Sequence, residues 1–423
     1  MKVFMVGWEF PPFISGGLGT ACYGLAKAMD RMGMEVLFVL PKMPGGGSAG
    51  VMNPSGQAVG FKNVAFRSVS SPLSLSVYST PAEYKRRLAQ FAGQCGSGKG
   101  CIQFEIAEGA MQYSGSLYEE VHRYAQAVAG IAAVEDFDVV HAHDWMTYPA
   151  GVAAARLSGR PLVVQVHSTE FDRSGEHVNQ MIYDIERMGM HAADKVIAVS
   201  NFTRNIIINR YGVEPEKVEV VYNGVTQNES YTPGDYERID EGERIVLFLG
   251  RVTMQKGPDY FIGAAKKVLE VIDNVRFVVA GDGDMRSSIV EMAAGAGIGH
   301  KVTFTGFLRG RDVDRVYGMA DLYVMPSVSE PFGIAPLEAL NHNVPVLISK
   351  QSGVAEVLRN ALKVDFWDVN EIANKIVAVL KYRPLRNTLG TEGGCEAKKL
   401  KWEDSAKRCL EVYNKAMARA AVA

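Results

Sequence analysis

Cysteine is scarce: the chain has five in 423 residues, and no two form a CxxC pair. Zinc ribbons and thioredoxin-like redox sites need such pairs, and a disulfide framework needs an even count. The thiols therefore read as small hydrophobes in a reducing compartment. Excess charge of either sign is also missing, because 45 Lys and Arg against 47 Asp and Glu leave a net charge of −2. Nucleic-acid binders carry a clear basic surplus, so that class is set aside, although a local basic groove for phosphates stays open. The start, MKVFMVGWEF, lacks the basic region, long apolar core and small-residue cleavage site of a signal peptide. A long uncharged stretch, residues 43–61, is broken by Gly and Pro and reads as loop, not as a membrane span. These absences lead to the expectation of a cytoplasmic protein, and the length to two or three domains.

What the sequence does hold is alternation of apolar strand-like runs with helical spacing. KVFMVGW reads as a buried strand and EFPPFISGGLG, with two prolines and three glycines, as irregular loop. TACYGLAKAMDRMG then places Cys22, Leu25, Ala26, Met29 and Met32 at helical spacing, and VLFVLP follows as a strand. A strand–helix–strand opening implies a parallel sheet. FDVVHAHDW, PLVVQVHSTEF, KVIAVSN and KVEVVYNGV continue the strands, and YPAGVAAARLSG is a helix stopped by glycine. Polar residues fall at or near the strand ends: His141, His143, Asp144, His167, Ser200 and Asn223. Ligands of open α/β sheets bind beyond the carboxyl ends of strands, so the series marks one functional edge.

Residues 226–243 are polar, contain Pro and Gly, and read as a linker. The opening theme then returns. RIVLFLG, NVRFVVAGDGD, KVTFTGFLRG, ADLYVMPSVSE, VPVLISK and ALKVDF supply a second set of strands, with YFIGAAKKVLEVI as a helix among them. The chain thus reads as α/β, with two Rossmann-like doubly wound domains. Residues 43–115 are the least regular; FKNVAFRSVS and LSLSVYST read as extra strands and PAEYKRRLAQFA as a helix. The last stretch, WEDSAKRCLEVYNKAMARAAV, reads as one amphipathic helix.

The strongest chemical signal is SEPFGIAPLEAL, where Glu330 and Glu338 have seven residues between them. Pro331 and Gly333 favour a turn after the strand, and Ala335 to Leu340 read as a helix start. Free amides at such a start, together with the helix dipole, suit a diphosphate. Two glutamates at this spacing can bracket one nucleotide-sugar; the plain alternative is a surface turn with two solvated acids. GRVTMQKG places Arg251 and Lys256 on one loop after a buried strand. Two cations there can neutralise a departing diphosphate, or can simply be a solvated basic loop. Gly16, Gly17 and Gly19 sit at the first strand-to-helix turn, where backbone can meet phosphate; the spacing is not the GxGxxG fingerprint.

Other patterns are weaker. His141, His143 and Asp144 have zinc-like spacing on paper, but no further ligand follows at a suitable interval, so no metal site is assigned. GQCGSGKG matches part of a P-loop but ends in Gly100 and follows a helix-like run, where a P-loop needs a strand. Asp282-Gly283-Asp284 reads as a turn after a strand rather than as a metal-binding DxD.

In order along nearly the whole chain, GGLG, HAHDW, VHSTEF, FLGRVTMQKG, AGDGD, FTGFL and SEPFGIAPLEAL resemble the retaining GT-B glycosyltransferases, specifically glycosyltransferase family 4 and the related glycogen and starch synthases. That resemblance implies an interdomain cleft between residues 1–225 and 244–401, with the C-terminal helix 402–423 crossing back to the first domain. It implies Arg251 and Lys256 as the diphosphate-stabilising pair, Glu330 on the donor sugar and Glu338 on the ribose. Phe332, Gly333 and Ile334 would touch sugar and phosphate through backbone, Gly16, Gly17 and Gly19 would face the diphosphate, His167 would support the reacting sugar, and Asp144 falls on the acceptor side. No metal or other cofactor is required; the co-substrate is a nucleotide-diphosphate sugar, ADP- or UDP-glucose.

The glycogen-synthase-like branch fits best, with an α-glucan as acceptor. Two positions depart from it, since Ile14 and Thr20 stand where bacterial ADP-glucose synthases carry Lys and Asp; Asn343 also replaces a common Gly. A family 4 transferase acting on a lipid, small sugar or cell-surface glycan is the main alternative. A nucleotide-sugar epimerase and a silent sugar-binding paralogue are further ones.

Overall fold

A computed structural model describes residues 1–11, 16–41, 60–69, 115–226 and 242–420. The first seven strands are β1 (Lys2–Val6), β2 (Glu35–Leu40), β3 (Val64–Ser68), β4 (Val139–His143), β5 (Leu162–Val166), β6 (Lys195–Ala198) and β7 (Val218–Val220). They form one parallel sheet in the order β3-β2-β1-β4-β5-β6-β7. The next six are β8 (Arg244–Leu249), β9 (Val275–Ala280), β10 (Val302–Gly306), β11 (Leu322–Met325), β12 (Val346–Ser349) and β13 (Leu362–Val364). They form a second parallel sheet in the order β10-β9-β8-β11-β12-β13. Helices cover both faces of each sheet, which is why the strands are apolar runs rather than alternating ones. Every residue of β4 and β5 is buried. This is the two-domain GT-B architecture.

The strand order places the site. In each sheet the chain winds outward in one direction, then reverses: between β1 and β4 in the first, and between β8 and β11 in the second. A crevice opens at such a switch point, beyond the carboxyl ends of the strands. Asp144 follows β4, Arg251 follows β8, and Glu330 follows β11.

The glycine-rich turn differs from the sequence reading. Helix begins at Gly17, not after Gly19, and runs to Arg31. Gly16 caps it in an extended conformation, with no side-chain hydrogen bond to the first amides. Gly17 and Gly19 are therefore helical residues of the first turn, where glycine is tolerated because that turn has few helical bonds to lose.

The last helix, Trp402–Ala420, belongs to the core beneath the first sheet, with Trp402, Ala406, Cys409, Val412, Tyr413 and Ala416 buried, and it packs against the helix Gly17–Arg31 and against β5 and β6. Its first residue fixes the docking. A Cβ on Gly24 would lie 2.2 Å from Trp402 Cε2, and one on Gly224 would lie 2.4 Å from the Trp402 amide nitrogen. Asn343 follows the helix Ile334–Asn341 with φ +57°, a left-handed residue just beyond a helix end. Asn is the non-glycine residue that best tolerates this conformation.

Ile14, the strand LSLSVYST, the helix PAEYKRRLAQFA, the GQCGSGKG segment and most of the 226–243 linker lie outside the described residues. No helix among the described residues is long and apolar enough to cross a membrane.

Two helical glycines give opposite predictions. Gly24→Val overpacks the Trp402 contact and lowers stability by about 1–3 kcal/mol in chemical denaturation. Gly130→Ala, whose Cβ would meet nothing within 4 Å, raises it by about 0.5–1 kcal/mol. A neutral Gly24→Val variant would contradict the docking described for the last helix.

Candidate active site

The second sheet supplies one wall of the cleft. Beyond β8 the chain passes Arg251, which is partly buried, and makes a short turn, Met254–Lys256. Gly257 follows at φ +65°, where a Cβ would lie 2.1 Å from the Pro326 carbonyl oxygen. That close approach presses the Lys256 turn onto the end of β11. The Val328 amide donates to the Gln255 carbonyl at 2.9 Å, and the Lys256 ammonium pairs with the Glu330 carboxylate. Ser327 also donates to Glu330, at 3.4 Å. The Lys256 and Glu330 side chains are only 19% and 8% exposed, so the pair is little screened by solvent.

Three residues on, Gly333 at φ +103° opens the helix Ile334–Asn341. No side chain caps it, so its first amides are available to an anion. Phe332 is 2% exposed, so its ring is core and only its backbone can serve a ligand. One turn into the helix, Glu338 accepts from the Tyr317 hydroxyl at 3.1 Å. Burial pushes its carboxyl above the ordinary value, and the Tyr317 bond works against that rise.

The first sheet supplies the facing wall. Asp144 follows β4 in a left-handed conformation, φ +61°, unusual for any residue but glycine. Its Oδ1 accepts from the His167 amide at 2.6 Å and the Ser168 amide at 3.4 Å, which pins the loop after β5. Burial nevertheless pushes its pKa up to about 7, with the His167 amide bond opposing. The His167 ring Nε2 lies 3.0 Å from His143 Nδ1. Burial holds His167 and His141 down to about 3 and His143 well below its ordinary value. These imidazoles are neutral, suited to hydrogen bonding rather than to proton transfer near pH 7.

One cleft of about 1730 Å³ is lined by Arg251, Lys256, Glu330, His167, Gly16, Gly17, Asp144, Phe332, Gly333, Ile334 and Glu338. Gly19 is buried in the first helical turn and does not line it. The zinc-like trio weighed in the sequence does not assemble: His141 is tied to the Tyr413 hydroxyl at 2.7 Å, and Asp144 holds backbone amides. Ligand atoms of Cys22, His143 and His167 lie within 4.8 Å of one another instead.

Sequence reading missed the residues that grip the Glu330 loop across the cleft. On one side Ser329 donates to Asp172 at 2.5 Å; on the other, Ser200 and Thr203 donate to the Pro331 carbonyl at 2.5 and 3.3 Å. Glu356 caps the helix Asn201–Tyr211 from the opposite domain, accepting the Asn201 and Phe202 amides at 2.9 and 2.6 Å. Thr169 and Asp172 form a capping box, T-x-x-D, that was legible locally. Its second role toward Ser329 was not.

Comparisons with known proteins agree with this layout. The model of the glycosyl transferases group 1 matches residues 235–394, and that of glycosyltransferase family 4 matches residues 110–229. An uncharacterized glycosyltransferase of Methanocaldococcus jannaschii is 30% identical over 435 residues and 99% of each chain. A glycogen synthase of Mycobacterium tuberculosis is 25% identical across 85% of this chain and 80% of its own. A D-inositol 3-phosphate glycosyltransferase of Salinispora arenicola is 28% identical across 68% and 70%. Among solved structures, sucrose-phosphate synthase of Thermosynechococcus elongatus has a TM-score of 0.73 at 18% identity over 99% of each chain. Anabaena HepE in complex with UDP-glucose has 0.66 at 19% identity over 97% and 98%. Both structures bear on the fold.

As an exposed helix cap, Glu356 is worth about 0.5–2 kcal/mol. Glu356→Ala therefore favours separation of the two domains by about 2- to 30-fold. Small-angle scattering of the variant will show a larger radius of gyration; an unchanged radius would mean that Glu356 does not hold the domains together.

Proposed function

The chain belongs to the GT-B glycosyltransferases of family 4, and from that membership we propose that it moves a sugar, with retention of anomeric configuration, from a nucleoside-diphosphate donor to an acceptor hydroxyl in the cleft between its two sheets. The observation that carries this reading is the convergence of Arg251, Lys256, Glu330, Glu338 and the uncapped helix start at Gly333 on one wall. Arg251, Lys256 and the first amides of Ile334–Asn341 take up the charge that develops on the departing diphosphate. A second uncapped helix start, at Gly16 and Gly17, faces the same cleft. Glu338 takes the ribose hydroxyls, and Glu330, oriented by Lys256, takes the donor sugar. The acceptor hydroxyl attacks from the face that the diphosphate leaves, and closure excludes water that would otherwise hydrolyse the donor.

The proposed sugar is glucose, carried on ADP or UDP, and the leading acceptor is an α-glucan. The name of the mycobacterial relative supports that choice. A second acceptor class, a small polar molecule, is supported by the name of the inositol phosphate relative and by Ile14 and Thr20. The neutralising work falls on protein cations and helix amides, so the step calls on no metal.

Released nucleotide and chain extension, measured with ADP- and UDP-glucose against glycogen and maltooligosaccharides, test the donor and acceptor together. An α-linked product from the α-linked donor supports retention, and extension with neither donor would sink the glucan reading. Arg251→Ala and Lys256→Ala will each lower kcat by about 10²–10³-fold. Full rates in either variant would overturn the leaving-group assignment. EDTA will leave turnover within about twofold of the untreated rate, the tolerance expected when amides and cations carry the charge.

A further inference from the structure

The family resemblance gives His167 a part in holding the reacting sugar but assigns nothing to the histidine behind it. His143 is the last residue of β4, is fully buried, and points its Nδ1 at His167 Nε2, 3.0 Å away. The ring cannot swing. It lies parallel to Phe38, with centroids 6.4 Å apart and planes 3° apart, and it touches the His141 ring at a centroid distance of 4.2 Å. On the far side, His143 Nε2 is buried with no hydrogen-bond partner among the described residues.

That orphaned nitrogen decides which ring donates. One proton lies between the two rings, and each neutral imidazole carries a single N–H. If His167 donated, the His143 proton would sit on Nε2, a buried N–H with no acceptor. If His143 donates, its Nε2 is a bare lone pair instead. Orphaned buried N–H groups are rarer in folded proteins than under-used acceptors. The thiol of Cys22 belongs to the same cluster. Burial pushes its pKa well up, so it stays an S–H rather than a thiolate and places no charge beside the two rings.

We propose that His143 is a positioning residue: its Nδ1–H donates to His167 Nε2, which forces the His167 proton onto Nδ1 and presents a fixed N–H donor to the cleft. His167 then recognises an oxygen lone pair on the reacting sugar or its phosphate, and cannot accept from a hydroxyl. The kinetic part of this assignment rests on the transferase reading; the tautomer does not.

Histidine ¹⁵N spectra of the full-length wild-type protein read the tautomers directly. The expected result is His167 protonated on Nδ1 and bare on Nε2, with His143 protonated on Nδ1. A His167 proton on Nε2 would overturn the proposal. So would stoichiometric metal in the purified protein with a cobalt–thiolate absorption after exchange, because Cys22, His143 and His167 would then be ligands. In kinetics, His143→Leu lowers kcat at least tenfold with donor KM within twofold, and His143→Asn, whose amide NH₂ can occupy the Nδ1 position, restores most of it. An Asn variant as impaired as the Leu variant would count against the donor role. If no donor is turned over while the spectra show the stated tautomers, the transferase reading fails and the tautomer assignment stands.

Discussion

A single loop of the second domain, Ser327 to Gly333, is held by both domains at once. Within its own domain Lys256 pairs with Glu330, and the bridge between Glu330 and Ser352 ties the backbone down. From the other domain Asp172 holds Ser329, while Ser200 and Thr203 hold the Pro331 carbonyl. Glu330 sits between those two grips. A parallel sheet can offer a crevice at its switch point, but it cannot by itself bring two crevices face to face. The grip on this loop does that, so the orientation of Glu330 and the closure of the cleft become one event. On the proposed donor assignment, substrate binding that favours closure also sets the carboxylate that meets the sugar.

The two walls manage charge differently. The second domain's wall keeps its ions, with Lys256 on Glu330, an arrangement that would supply fixed positive charge to a departing diphosphate on the proposed reading. On the facing wall, the groups packed around His167 carry little charge, although Lys27 and Arg31 of the first helix also line the cleft. The wall's histidines are neutral, with His141 and His143 fully buried, and burial raises the Asp144 pKa to about 7 against the pull of two backbone amides. On the proposed transferase reading, the neutral hydrogen-bonding groups around His167 orient an uncharged sugar while the cations opposite draw its anionic carrier.

Much of this was legible in the sequence. The apolar runs from KVFMVGW to ALKVDF became strands close to where they were read, because fully buried parallel strands leave little ambiguity in pattern. The residues that line the second sheet's wall were legible because SEPFGIAPLEAL and GRVTMQKG each lie within one strand-to-helix turn. Asn343, which looked like a departure, keeps the left-handed backbone that glycine would have served. The start of the first helix was misread because Gly17 and Gly19 carry no helical signal of their own. The cross-domain grip was invisible for a different reason: Ser329 and Asp172 are 157 residues apart, and Glu356 is 155 from Asn201. No local spacing encodes such pairs. The same holds at shorter range for His143, whose place behind His167 depends on the pairing of β4 with β5.

The central claim is that the second domain's wall is a nucleoside-diphosphate site. A crystal structure of the full chain with bound UDP or ADP tests it most directly. The account predicts the diphosphate at the amides that follow Gly333, within contact of Arg251 and Lys256, and the ribose hydroxyls on Glu338. A nucleotide bound away from those amides, or a diphosphate touching neither cation, would contradict it.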